Sequence, residues 1–201
     1  MCHWNTVNWN CIIRKETLEE KLPEEEKHAF RRLQKELSEQ KKVELLFTDA
    51  DMENDITFFL RGHHIKPEEC MLLATEPEEV AWARADGNPI LDKLTVIGYE
   101  IPDFSKQIPL SNVDMLLLGL EEVDVEFLLR TFQRKHHLPW RILETKRCYL
   151  REITLDDMDD LFELYNKKGI TDYIEPLYER QEEEEYQRAY IDNMYGYYGY
   201  G

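Results

Sequence analysis

The stretch RCYLREITLDDMDDLFELY, residues 147–165, decides the fold that we predict for the carboxyl-terminal part of the chain. Residues 148–153 alternate with the period of two that is typical of a strand with one buried face. Thr154 ends this strand, because its hydroxyl and the carboxylate of Asp157 have the spacing of a capping box at the start of a helix. The apolar side chains that follow at helical spacing are Met158, Leu161, Phe162 and Tyr165. The sequence therefore predicts a strand that leads directly into a one-sided helix, which Gly169 is placed to end.

These residues resemble the opening strand and first helix of the GNAT superfamily of N-acetyltransferases, because LREITLDDMDDL, residues 150–161, matches L-R-x-[IA]-T-x-x-D-x-x-x-[LI]. ITDYIEPLYE, residues 170–179, is similar to the loop and short second helix where these enzymes receive the acceptor amine. The resemblance implies transfer of an acetyl group from acetyl-CoA to an amine of a small molecule or peptide. It also implies that Tyr173, Glu175 and Tyr178 face the substrate, with packing between helix and loop as their alternative role.

The resemblance covers only the acceptor half of such a domain. The family's diphosphate-binding element, a strand followed by [RQ]-x-x-G-x-[GA] at the start of a helix, is expected beyond Gly201. GYYGYG, residues 196–201, has the letters G-x-x-G-x-G, but a predicted helix precedes it, so we interpret it as a turn into a second strand. We therefore expect residues 147–201 to be a truncated GNAT domain that binds acetyl-CoA weakly or not at all and is inactive alone.

Residues 43–146 alternate short apolar runs with helical patterns, which is typical of parallel α/β units. We predict strands at residues 44–48, 70–74, 94–98 and 115–120, and a last strand or linker at residues 141–144. The helical patterns between them cover residues 52–60, 80–85 and 127–132. The predicted fold class is therefore α/β, a parallel sheet with flanking helices, followed by a partial GNAT α+β domain.

IKPEECMLLATEPEEVAWARADG, residues 65–87, looks like the last strand and helix of the haloacid dehalogenase (HAD) superfamily of phosphotransferases. In that family the strand is followed by two acids that help to hold Mg²⁺, but here Thr75 stands at the first acid position and Glu79 is a lone carboxylate. The resemblance therefore implies a degenerate HAD-like, Rossmann-type module. Asp49 and Asp51 offer a D-x-D after the first strand, at the edge where parallel sheets bind ligands, with a polar turn as the alternative.

Residues 1–42 are predicted to be a separate, charged helical segment, since residues 15–42 carry many balanced charges and few apolar side chains. Its role stays open between a docking helix and a leader helix. The residues Cys2, His3, Trp4, Trp9 and Cys11 lie close together in sequence but have no recognised metal-ligand spacing, so no metal site is predicted. The predicted parts of the chain are thus residues 1–42, 43–146 and 147–201.

The net charge of −17 argues against nucleic-acid binding, which needs clustered Lys and Arg. Residues 151–201 carry 14 acidic and 5 basic side chains, a net of −9. These acids either attract a cationic amine or only keep two helix faces in contact with solvent. In the predicted helix over residues 180–195, we expect a stripe of Tyr186, Tyr190 and Met194 to be core and the acids at 182–185 to stay in solvent.

The chain has no membrane-span pattern, since no apolar run approaches ~20 residues. It also has no signal-peptide pattern, since its first residues lack the basic-then-apolar order of such a peptide. The lack of both patterns predicts a cytoplasmic location, and four cysteines without a C-x-x-C pair predict reduced thiols. The predicted function is that of an N-acetyltransferase. The alternative is a non-catalytic HAD-like interaction or regulatory module, and a third hypothesis, a metal-dependent phosphatase, lacks the family's paired acids.

Overall fold

The computed structural model describes residues 9–13, 21–39, 43–47, 60, 62, 64–85, 91–102 and 108–198. The chain divides into two compact units, Met1–His136 and His137–Gly201. The first unit combines a sheet with helices on both of its faces, and the second combines a hairpin with helices. Within the described ranges, no helix is both long enough and apolar enough to cross a lipid bilayer.

A parallel sheet forms the centre of the first unit. Its strands are β1 Trp9–Ile13, β2 Val43–Phe47, β3 Cys70–Ala74, β4 Thr95–Tyr99 and β5 Met115–Leu117. They lie in the order β2-β1-β3-β4-β5, and every neighbouring pair is parallel. The predicted parallel sheet with flanking helices is therefore confirmed, and β3 has the predicted bounds.

Helices cover both faces of this sheet. They are α1 Glu24–Glu39, α2 Pro77–Ala83 and α3 Val125–Lys135, with short 3₁₀ helices at Pro67–Glu69 and Leu91–Lys93. Phe30 of α1 and Phe132 of α3 are buried in one core with Met71 of β3, whereas Val80 of α2 is buried in a second core with Leu72. Because adjacent residues of β3 enter opposite cores, the strand is buried on both sides, as in doubly wound sheets.

Residues 9–13 and 21–39, the described part of the first 42, do not form the separate helical segment that the sequence predicts. Trp9–Ile13 pairs with both β2 and β3 and so lies inside the sheet. Helix α1 packs on that sheet, since Phe30, Leu33 and Leu37 are fully buried at helical spacing. The many charges of α1 occupy its outer face and obscured this apolar stripe. The predicted helix at residues 52–60 lies almost entirely outside the described residues.

The second unit begins with an antiparallel hairpin. Its elements are β6 Arg141–Glu144, β7 Tyr149–Arg151, a 3₁₀ turn Leu155–Asp157, α4 Met158–Tyr165, α5 Arg180–Tyr190 and a π-helix Ile191–Tyr198. The predicted strand-to-helix transition is present, and β6 has the predicted bounds. Helix α4 ends at Tyr165, earlier than the end that was expected at Gly169. Gly169 lies in the loop after this helix and has a φ of 91°. Residues 196–198 extend the π-helix and do not form the predicted turn into a strand.

The second unit has a thin core. Among its described residues, the buried apolar side chains are Met158 and Tyr195. Tyr149 and Leu150 point to opposite sides of β7, yet both are half-exposed, so the strand does not have the predicted buried face. Tyr186 is also half-exposed, so the stripe expected to be core on α5 is open to solvent at that position. In α4 the predicted division holds, because Met158 is buried while Asp159 and Asp160 are exposed.

Candidate functional site

The turn between β7 and α4 is fixed by one carboxylate. Asp157 Oδ2 accepts hydrogen bonds from Thr154 N at 2.8 Å and from Arg151 Nη1 at 2.7 Å, while its Oδ1 is paired with Arg151 Nη2. The predicted capping box of Thr154 and Asp157 is therefore present, with an additional ion pair. The hydrogen bond from Arg151 lowers the pKa of Asp157 below its usual value, and the same contact raises the pKa of Arg151. The direction of the chain entering α4 is thus held by charge-assisted bonds.

The segment predicted to face the acceptor amine follows α4. Tyr173 is 95% exposed, Glu175 is exposed, and Tyr178 is 54% exposed. The Tyr178 ring lies 5.8 Å from the ring of Tyr186 on α5, so the segment contacts that helix at its end. The structure therefore leaves all three predicted residues accessible to a ligand. It gives Tyr178 a packing partner in addition.

A buried glutamate anchors this segment to α5. Glu183 is 2% exposed, and its Oε2 accepts a hydrogen bond from Tyr178 N at 3.0 Å. Its Oε1 accepts from Gln187 Nε2 at 2.8 Å. The prediction that the acids at 182–185 all stay in solvent is therefore wrong at this position. An acid in the first turns of a helix can accept from preceding backbone N–H groups, but four consecutive glutamates share that signal.

An ion pair and an aromatic contact join α4 to α5. Arg180 donates to Asp159 Oδ1 at 2.5 Å and to Glu184 Oε1 at 2.9 Å. Its guanidinium carbon also lies 5.5 Å from the centre of the Phe162 ring. The hydrogen bonds that Arg180 donates to these two carboxylates raise the pKa of Arg180. The second unit thus holds one of its own cations between an aromatic face and two acids.

The carboxyl edge of the parallel sheet is the candidate ligand site of the first unit. In the observed strand order, the connections reverse direction between β1 and β3, which is the switch point where doubly wound sheets bind ligands. Glu76 follows β3 there and forms an ion pair with Lys21, which precedes α1. Both side chains are about one-third exposed. Asp49 and Asp51, predicted at the same edge, lie outside the described residues.

Glu79 has a structural role at this edge. Its Oε2 accepts hydrogen bonds from Thr75 N at 2.7 Å and from Glu76 N at 3.1 Å, which caps α2. Both Thr75 and Glu79 are buried. In the part of the chain that the structure describes, no group of three or more His, Cys, Asp or Glu side chains is placed to hold a metal ion.

The burial of a further carboxylate, Glu26, was not predicted from the sequence. Its Oε2 accepts from the Tyr99 hydroxyl at 2.7 Å and from Leu120 N at 2.8 Å. Burial and the hydrogen bond to Glu26 raise the pKa of Tyr99. These bonds join α1 to β4 and to the chain after β5. Glu26 stands in a run of three acids, and the sequence does not distinguish it from its exposed neighbours Glu24 and Glu25.

The described cysteines are free thiols. Cys11 and Cys70 are buried on adjacent strands but belong to opposite cores, and Cys148 is exposed. Burial raises the pKa of Cys11 to about 12, so this thiol stays protonated at neutral pH. Cys2, His3 and Trp4 lie outside the described residues.

Comparisons of the chain with family models, curated proteins and solved structures give no match.

Proposed function

We propose that the second unit is the acceptor-binding half of a GNAT-type N-acetyltransferase, preceded by a degenerate HAD-like module, in a cytoplasmic protein. The observation that supports this proposal is the turn at Thr154, where a strand enters a one-sided helix through a capping box reinforced by Arg151. The resembled family begins with the same residues at the same spacing. The exposed segment with Tyr173, Glu175 and Tyr178 follows in the order that the resemblance implies.

The acceptor would be a primary amine that arrives as an ammonium ion. Glu175 supplies an opposite charge, and the rings of Tyr173 and Tyr178 present π faces, both of which attract cations. An acetyl group reaches such an amine only when donor and acceptor are held together and the amine has lost its proton. Residues 151–201 carry a net charge of −9, which repels the diphosphate of acetyl-CoA. The described residues therefore fit the acceptor but do not fit the donor, and we derive no catalytic step from them.

Acceptor binding can be tested by NMR on the ¹⁵N-labelled full chain. Titration with lysine amide is expected to shift the amide signals of residues 170–179, whereas its doubly N-acetylated, neutral counterpart is expected to leave them unchanged. Glu175→Gln should weaken binding about twofold to fivefold, as expected for an exposed charge pair. Asp192→Asn, a matched change of an exposed acid outside the segment, should have no effect. Equal shifts with the neutral compound would refute the proposed site.

The donor half is tested separately. Calorimetric titration of the full chain with acetyl-CoA is expected to show no tight stoichiometric binding, because the net charge of −9 on residues 151–201 repels its diphosphate. Tight binding would contradict our assignment of these residues to the acceptor half alone. The codons that follow Gly201 in the gene provide a further check, since the proposal requires an in-frame [RQ]-x-x-G-x-[GA].

A second candidate function, a non-catalytic ligand-binding or regulatory role for the first unit, is favoured by the strand order. The order β2-β1-β3-β4-β5 places Lys21 and Glu76 beside the switch point, where related sheet architectures bind nucleotides and other small ligands. Adenosine monophosphate is a suitable NMR probe. It should shift the amide signals of Thr75 and Glu76 at lower concentrations than those of α3. Spectra that are unchanged at millimolar adenosine monophosphate would contradict this role.

A further inference from the structure

Three tyrosines form a continuous strip on the second unit, which we call the tyrosine strip and define as Tyr178, Tyr186 and Tyr190. The ring centres of Tyr178 and Tyr186 are 5.8 Å apart, and those of Tyr186 and Tyr190 are 6.5 Å apart. Tyr178 and Tyr186 are each about half-exposed, at 54% and 50%. Exposed aromatic rings in a row are unusual on a surface that is otherwise strongly charged.

The inner end of the strip is anchored. The Tyr190 ring contacts the buried Tyr195 ring edge-on at 5.9 Å, and the Tyr195 hydroxyl accepts a hydrogen bond from Ile153 N at 3.3 Å. At the outer end, Glu183 holds the backbone of Tyr178 through the 3.0 Å bond to its N–H. The three rings are therefore positioned before any ligand arrives, which reduces the entropy lost on binding.

The spacing of the rings matches an extended peptide. Side chains on one face of a strand recur every second residue, at about 6.6 Å, because each residue rises about 3.3 Å. The strip repeats at 5.8 and 6.5 Å, so alternate side chains of an extended segment could each meet one ring. In an extended peptide with adjacent cationic residues, neighbouring side chains point to opposite faces, so only some of its cations would contact the strip.

The charge around the strip selects cations. Glu182, Tyr186 and Tyr190 lie four residues apart on α5 and so share one row of the helix surface, with Glu182 exposed. Glu179, also exposed, is the next residue after Tyr178. The unit already holds Arg180 in a comparable environment, over the Phe162 ring and against Asp159. An aromatic face flanked by carboxylates is a favourable site for Lys or Arg.

We propose that the tyrosine strip docks an extended basic segment of a partner protein, with Lys or Arg at every second position. The occupant follows from charge complementarity together with the ring spacing. Docking does not depend on acetyl transfer, since it requires neither a donor nor a reacting amine. If the proposed enzyme function also holds, the strip would hold a basic protein substrate close to the segment that carries Tyr173 and Glu175.

The test uses the full chain and two fluorescein-labelled peptides of identical composition. One peptide is Gly-Lys-Gly-Lys-Gly-Lys-Gly and the other is Gly-Gly-Lys-Lys-Lys-Gly-Gly, and binding is followed by fluorescence anisotropy at low salt. The alternating peptide is expected to bind about threefold to tenfold more tightly, because each aligned ring contributes a cation–π contact. Equal affinity of the two peptides would overturn the proposed register. Spermidine that binds as tightly as the alternating peptide would overturn the assignment to a protein partner.

Matched variants locate the binding on the strip. Tyr186→Leu removes the π face and should weaken the alternating peptide about twofold to fivefold, whereas Tyr186→Phe keeps the face and should bind like the parent. Tyr149→Leu, the same change at a half-exposed ring outside both the strip and the acceptor segment, should leave peptide affinity unchanged. Tyr186→Leu should leave lysine amide binding at residues 170–179 unchanged, so a defect in amine binding and a defect in the strip are distinguishable. Circular dichroism confirms that each variant is folded, which the half-exposed position of Tyr186 favours. If Tyr186→Phe and Tyr186→Leu lose affinity equally, the proposed use of the ring face is wrong.

Discussion

Asp114 should be among the side chains on which the stability of the first unit depends most. Its Oδ2 accepts from Arg84 Nη2 at 2.6 Å and from Val96 N at 2.8 Å, and its Oδ1 is 2.9 Å from Lys135 Nζ. The side chains of Asp114 and Arg84 are only 16% and 12% exposed. One carboxylate therefore connects the end of α2, the start of β4 and the end of α3.

The expected cost of Asp114→Ala follows from these contacts. Loss of the charged hydrogen bond to Arg84 costs about 2 kcal/mol, and the unsatisfied N–H of Val96 costs about 1 kcal/mol more. Lys135 is 29% exposed and can be rehydrated, so we assign only a small part of the free-energy cost to the loss of its ion pair. The sum is about 3 kcal/mol, at the lower end of what breaking a buried ion pair costs.

Urea unfolding monitored by NMR measures this cost in the first unit alone. Amide signals of β3 and β4 report the fraction of that unit that is folded, whatever the second unit does. Asp92→Ala removes an exposed acid of the same unit and should change its unfolding free energy by less than about 0.5 kcal/mol. The reasoning would be refuted by an Asp114→Ala effect no larger than that of Asp92→Ala.

Three further predictions concern Asp157, Gly98 and the phosphatase hypothesis. Asp157→Asn should destabilise the second unit by about 1 kcal/mol. Because the pKa of Asp157 is lowered in the folded state, its stabilisation is present above the unfolded pKa near 3.8 and is lost as pH falls through the folded-state pKa. The variant should therefore lose less stability than the parent when both are titrated with acid. Gly98→Ala should cost about 1–2 kcal/mol by thermal unfolding, because a Cβ there would lie 3.1 Å from Val113 Cγ1 and 3.2 Å from Leu110 Cδ1. Phosphate release from p-nitrophenyl phosphate should be undetectable with Mg²⁺, and activity that Asp49→Asn abolishes would restore the phosphatase hypothesis.

Local sequence signals predicted the elements well. The capping box at Thr154 and Asp157 needs only residues three apart, and it is present as predicted. Strand β3 was bounded correctly because its apolar run lies between Pro67 and the capping residue Glu76. The parallel arrangement followed from the alternation of strands and helices.

Features that depend on distant partners were not predictable in this way. Strand β1 is five residues long, and only its pairing with β2 and β3 identifies it as a sheet member. Whether Leu150 is buried depends on which other element covers β7. The alternation of side chains within β7 does not show this. Glu183 was predicted to stay in solvent with its acidic neighbours, and no prediction was made for Glu26. The carboxylates of Glu26 and Glu183 accept hydrogen bonds from the distant residue Leu120 and from Tyr178, respectively, which the local pattern does not show. The tyrosine strip was missed for a related reason, since the same helical spacing is typical of a core face.

The position of β1 has a consequence for the way the first unit is made. Strand β1 is synthesised before the other described strands, yet Asn10 is aligned with Cys70, so β1 cannot pair with β3 until about sixty more residues have been synthesised. Pairings of such long sequence separation slow folding. Strand β2 also depends on β1, which is its neighbour in the sheet. Deletion of Trp9–Ile13 would therefore separate β2 from β3 and leave β3, β4 and β5 as the paired part of the described sheet.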